Sequence, residues 1–123
     1  MNLEKDIQAK IIAKMEAHGW YVVKLIQTNK NGIPDLLCHK LGMSRYLEVK
    51  RPNLKPSPLQ KMRMQELMTK AGVVCWVVTS VDDLYLYGII NLDDEPTKNS
   101  RNRTIVHRSD REERKQGVDR PIL

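Results

Sequence analysis

The run Val73-Val74-Cys75-Trp76-Val77-Val78-Thr79 carries no charge and constrains the fold more than any other part of the chain. A stretch of this length and β-branched content reads as a strand buried on both faces. The segment before it reads as a helix. Ser57 stands where a cap is wanted, Pro58 suits the first helical position, and Leu59, Met62, Met64, Leu67 and Met68 precede a stop at Gly72, with the three methionines expected to fill the core. Before that helix, Pro52-Asn53-Leu54-Lys55-Pro56 suits neither helix nor sheet and is a loop. Residues 45–51 form another strand pattern upstream of it. Strand, helix, strand in this order is a crossover unit, which argues for a mixed sheet flanked by helices.

The N-terminal third supplies the rest of the sheet. Leu3, Ile7, Ile11, Ile12 and Met15 lie on one helical face, and Gly19 follows as a C-cap. Residues 20–26 and 35–39 read as strands, with Thr28-Asn29-Lys30-Asn31-Gly32 as the turn between them. The link Leu41-Gly42-Met43-Ser44 suits a hairpin into residues 45–51. After the last strand, Ser80-Val81-Asp82-Asp83 looks like the start of a short helix ending near Gly88, although residues 84–90 would serve equally well as a strand. The fold class is α/β, in the order helix, three strands, helix, strand. Residues 1–92 are expected to form one domain, and residues 93–123 a basic C-terminal arm.

Charge points to an anionic partner. The chain has 123 residues, 21 Lys+Arg and 15 Asp+Glu, for a net +6. The excess is uneven, since Lys98 to Leu123 holds eight basic and four acidic residues. Cys38 and Cys75 sit far apart in apolar runs and read as reduced packing residues. The N-terminus has no basic-then-apolar signal pattern and no apolar run is long enough to span a membrane, so an intracellular protein is expected.

The chemistry gathers around two short segments. In Glu48-Val49-Lys50, period two sends Glu48 and Lys50 to one face of the strand and Val49 to the other. An E-x-K triplet alone means little, since about 0.4 are expected by chance at average usage. Gly32-Ile33-Pro34-Asp35 is rarer, at about 0.02. If the two strands pair through the 41–44 hairpin, Asp35 and Glu48 become neighbours. Two carboxylates side by side are costly unless a cation binds them. A hard ion such as Mg²⁺ uses a few carboxylate oxygens and leaves room for water and phosphate. Lys50, beside Glu48, could orient that water or offset negative charge on a phosphate under attack. His39 shares the strand face of Asp35 but is expected to be packed or solvated. Ser57 and Gln60 have the spacing of a capping box, which would occupy the Gln60 side chain.

Gly32-Ile33-Pro34-Asp35-Leu36-Leu37, Leu47-Glu48-Val49-Lys50-Arg51-Pro52 and Ser57-Pro58-Leu59-Gln60 together resemble the PD-(D/E)xK nucleases, and more narrowly the VRR-NUC group. The resemblance covers about residues 1–90 and leaves the tail out. It implies a restriction-endonuclease-like mixed β-sheet flanked by helices, with an αβββαβ core. It also implies Mg²⁺ or Mn²⁺ held by Asp35, Glu48 and the main-chain carbonyl of Val49, with Lys50 as catalytic lysine. Gln60 would be an accessory catalytic residue, in competition with its capping role, and Glu4 would match the family's acid on the first helix. As an alternative, the helix dipole explains an acid at position 4 without any function. Lys30, Arg51, Lys55 and Lys61 are the cations expected to contact DNA, with Arg63 beside them. The resemblance further implies a homodimeric resolvase of four-way DNA junctions, of bacterial or phage origin. The alternatives are a less selective branched- or duplex-DNA nuclease and a domain that binds DNA without cutting it.

Overall fold

A computed structural model describes residues 3–94 of the chain. The elements are α1 (Leu3–Ala17), β1 (Tyr21–Lys24), β2 (Leu36–Lys40), β3 (Met43–Val49), α2 (Pro58–Lys70), β4 (Val74–Val78), α3 (Val81–Leu86) and a 3-10 turn at Leu92–Asp94. The four strands lie in the order β1-β2-β3-β4. The first three are antiparallel, and β4 runs parallel to β3 after the crossover through α2. This is the expected mixed α/β sheet. The expected arm, residues 93–123, lies outside the described residues from residue 95 onward.

One face of the sheet carries the core. Leu36 opposes Leu47, Val22 opposes Cys38, and Val49 opposes Val78, so their side chains share a side. Ile11 and Met15 of α1, Leu84 of α3, and Ile89 and Ile90 close over that side. By the same alternation Leu37, His39, Tyr46, Glu48 and Cys75 face the other side, where α2 packs against β4. That second layer is thin: Met64 is buried, whereas Met62 and Met68 are exposed. The expectation that all three methionines fill the core therefore holds for Met64 alone.

The structure moves several boundaries. β1 is shorter than residues 20–26, Asp35 stands just ahead of β2, and β3 starts earlier and ends at Val49. β4 is not buried on both faces, since only Val78 is fully covered and Val74 is exposed. It is an edge strand among the described residues, so its flank lacks a neighbour however apolar its composition. Residues 84–90 are not a strand. Ser80 Oγ accepts from the Asp83 amide and starts α3, whose C-terminal turn closes at Tyr87.

Candidate active site

The site forms where β2 begins and β3 ends. Gly32 turns the chain toward it at φ +83°, and a Cβ there would lie 2.7 Å from Leu59 Cγ, so a side chain would push α2 away. Pro34 is fully buried just ahead of Asp35 and fixes the entry to the strand. Asp35 is tied at both ends. Its carbonyl accepts from the Leu25 amide at 2.8 Å, and its Oδ2 accepts from the Val49 amide at 3.0 Å. The carboxylate thereby satisfies a β3 donor just past the last β2 pairing, Leu36 with Leu47.

Glu48 sits beside it at 1% exposure. Its Oε2 accepts from Gln60 Nε2 at 3.2 Å and lies 3.4 Å from Lys50 Nζ. Its Oε1 is buried and meets no donor from the protein. Burial, then the charge of Asp35, pushes the Glu48 carboxyl up to about 7 against the pull of Lys50. Burial also raises Asp35, opposed by the Val49 amide and reinforced by the charge of Glu4. The two carboxyl groups lie close enough for the charge of Asp35 to raise Glu48.

The Val49 carbonyl is aimed at the same place. The Lys50 amide donates to the Val78 carbonyl at 3.0 Å, toward β4. Across a trans peptide the Val49 carbonyl must point the opposite way, toward the side on which the Val49 amide meets Asp35. Among the described residues, no three His, Cys, Asp or Glu side chains form a metal cage. The donors brought together are two carboxylates and a carbonyl, all hard oxygens, which fit a cation that keeps open positions.

Gln60 corrects an expectation. Its capping and site roles do not compete, because they use opposite ends of one amide. Oε1 accepts from the Ser57 amide at 2.9 Å, while Nε2 donates to Glu48. The reciprocal cap, Ser57 Oγ to the Gln60 amide, completes the box at the start of α2. Glu4 is half-buried in the first turn of α1, and its charge reaches Asp35. Of the expected DNA contacts, Lys30, Arg51, Lys55 and Lys61 are all exposed. Lys30 shares a cleft wall with Asp35, and Arg51 and Lys55 lie on the connection from Lys50 to α2. Arg63 is not a free cation: Nε donates to the Asn31 carbonyl at 2.7 Å and Nη1 to Glu66 at 2.9 Å. Nothing in its spacing signalled that bond, because a side chain reaching a distant carbonyl leaves no sequence pattern. His39 is half-buried and meets Ser44 Oγ at 2.9 Å, away from the carboxylates.

A mixed sheet with carboxylates at the end of its central hairpin, backed by a lysine, defines the restriction-endonuclease-like class of α/β fold. A solved structure described as a VRR_NUC domain matches with a TM-score of 0.60 and 33% identity, covering 71% of this chain and 97% of that one. The chain belongs to the VRR_NUC family of nuclease domains. A second, described as a VRR_NUC domain protein, shares the fold at a TM-score of 0.59 and 18% identity, covering 77% of this chain and 92% of the other. No family model and no curated protein matches the chain. Among the described residues, no helix is long and apolar enough to cross a membrane.

Proposed function

We propose that this domain is a Mg²⁺- or Mn²⁺-dependent endonuclease that cuts branched DNA, acting as a homodimer on four-way Holliday junctions. The observation that carries the reading is the buried Glu48 carboxyl group, whose Oε1 meets no protein donor while its Oε2 lies 3.4 Å from Lys50 Nζ and the charge of Asp35 presses on it. A cation turns that costly pair into a stable arrangement. Asp35, Glu48 and the Val49 carbonyl would hold it. When bound, it supplies Lewis acidity toward a phosphoryl oxygen and makes an attacking water more acidic.

The chain's own groups do the rest. Lys50 brings a positive charge and donors to the face where the phosphate is attacked. Gln60, held by its cap, fixes the orientation of the Glu48 carboxyl. Glu4 adds negative charge that favours a cation beside Asp35. Lys30, Arg51, Lys55 and Lys61 carry the DNA backbone, and the basic segment 93–123 adds attraction that salt weakens. Two copies about a two-fold axis suit paired cuts in opposite strands.

The test is cleavage of a labelled immobile four-way junction beside flap and linear duplex, with Mg²⁺, Mn²⁺ or EDTA, for the native chain and Lys50→Ala. Paired, metal-dependent nicks in the junction alone, lost in the variant, are expected. Cutting of every substrate would keep the nuclease and remove the resolvase. Junction binding with no cutting under either metal would leave a DNA-binding domain.

A further inference from the structure

The loop between β1 and β2 forms a second feature next to the carboxylates. Residues 25–28 and 30–33 together with Asp35 wall a cleft of about 320 Å³. That size lies at the lower end of ordinary ligand sites, room for one small unit. Gln27, Thr28, Lys30 and Asn31 supply its polar lining, and Asp35 is its single acid. The cleft therefore opens directly on the proposed cleavage site, with neutral hydrogen-bonding groups and one cation along its length.

The loop is held in place from α2. Arg63 Nε donates to the Asn31 carbonyl at 2.7 Å, and Leu59 packs against Gly32 too closely for any side chain there. Thr28 Oγ1 donates to the Lys30 carbonyl at 2.7 Å from within the loop. The other arm of Arg63 pairs with Glu66, whose carboxyl is held below the usual range by that bond first, with Lys30 among the further cations it feels. Arg63 thus ties the loop to α2 while its other arm pairs with Glu66.

We propose that this cleft is the subsite for the phosphodiester unit adjoining the one cut, contacted by Lys30, and that Arg63 is a positioning residue that keeps the loop and its lysine turned to the DNA. The inference rests on the reading of Asp35 and Glu48 as the cleavage site. Its recognition chemistry is that of a sugar-phosphate backbone: a cation for the phosphate, and amides and a hydroxyl for the neighbouring sugar or base edge.

The experiment is metal-free binding in EDTA, followed by fluorescence anisotropy with a fluorescein-labelled four-way junction across a salt series. Native chain, Lys30→Ala, Arg63→Ala, Arg63→Lys and the Lys30→Ala/Arg63→Ala double variant are compared, with a thermal melt of each. Lys30→Ala is expected to weaken binding and flatten the log–log salt dependence by about one unit. Arg63→Ala does the same although its own charge is paired within the protein, and the double variant is no worse than either single one. Arg63→Lys keeps the charge without the fork and does not restore binding. Should Arg63→Ala melt below the assay temperature, Leu59→Ala loosens the same loop without changing charge and takes its place. An unchanged salt slope in Lys30→Ala overturns the subsite. Additive losses, or full rescue by Arg63→Lys, overturn the positioning role and make Arg63 a phosphate contact. The junction cleavage assay separates the two readings: binding without cleavage removes the nuclease while the variant cycle still decides the subsite, and no binding at all overturns both.

Discussion

The two ends of the β2–β3 hairpin carry similar residue types and treat them differently. At the closed end, Leu41 and Gly42 take φ of 50° and 83°, a two-residue turn with positive φ at both positions. The polar side chains there find protein partners. His39 meets Ser44, and Lys40 Nζ donates to the His18 carbonyl at 2.8 Å and stands 5.8 Å over the Trp20 ring. At the open end, Asp35, Glu48 and Lys50 crowd together with Glu48 Oε1 left without a donor. A lysine and a titratable group on a strand end are thus no sign of function in themselves. What marks the open end is a buried acid that the protein does not satisfy, within a fold that satisfies its counterpart.

The widest separation between the ends is expected in cleavage. Lys50→Ala and Glu48→Gln should each lower the single-turnover cutting rate by about 10²–10³-fold, the usual cost of removing one charge-stabilising group. Lys40→Ala, at the closed end, should leave the rate alone. Measured rates on one junction under one metal check the contrast, and an active Lys50→Ala protein would dissolve it.

Next in size is a pH effect on stability. Glu48 in the folded chain lies near 7, above its ordinary 4.5, so folding favours its protonated form. The stabilisation is complete below about 4.5 and disappears as pH rises through about 7, with Asp35 shifted in the same direction. Its size is on the order of 3 kcal/mol. Melting in EDTA should fall between pH 5 and 8, and Glu48→Gln should flatten that fall. Added Mg²⁺ should restore stability at pH 8, where the carboxylates are free of protons.

Gln60 joins the open end to α2, and its two roles can be separated. Gln60→Glu keeps an oxygen for the Ser57 amide but removes the donor to Glu48, so the helix cap survives while repulsion at the site increases. Gln60→Ala loses both, with about 1 kcal/mol of cap stability. Melts and cleavage rates together decide: the Glu variant should melt above the Ala variant under high Mg²⁺ and still cut slowly.

The meeting of Asp35 with Glu48 was legible because it needs only period-two alternation and a tight hairpin, both local properties. The capping box at Ser57 was legible for the same reason. The edge position of β4 was not: apolar composition shows that a strand packs, but not whether a neighbour lies on its outer side. Met62 and Met68 misled because helical spacing marks a face without saying how much of it the sheet reaches. Arg63 and the second end of the Gln60 amide depended on contacts between distant segments, which no spacing encodes. Spacing encodes which neighbouring residues meet, and it does not encode the long-range contacts that fix their geometry.

The smallest effect is the control on the closed end. His39 and Ser44 share a half-buried hydrogen bond at 2.9 Å between cross-strand partners. Removing it by Ser44→Ala takes away one neutral bond while water can still reach the histidine, so about 0.5 kcal/mol is expected. Cleavage should be unchanged, because Ser44 sits four residues of β3 before Glu48, near the other end of a strand whose register is set by its other pairings. Chemical denaturation resolves the stability difference and junction cleavage resolves the rest. A loss of activity here with the fold intact would mean that the hairpin transmits its closed end to its open one, and that the two ends are a single device.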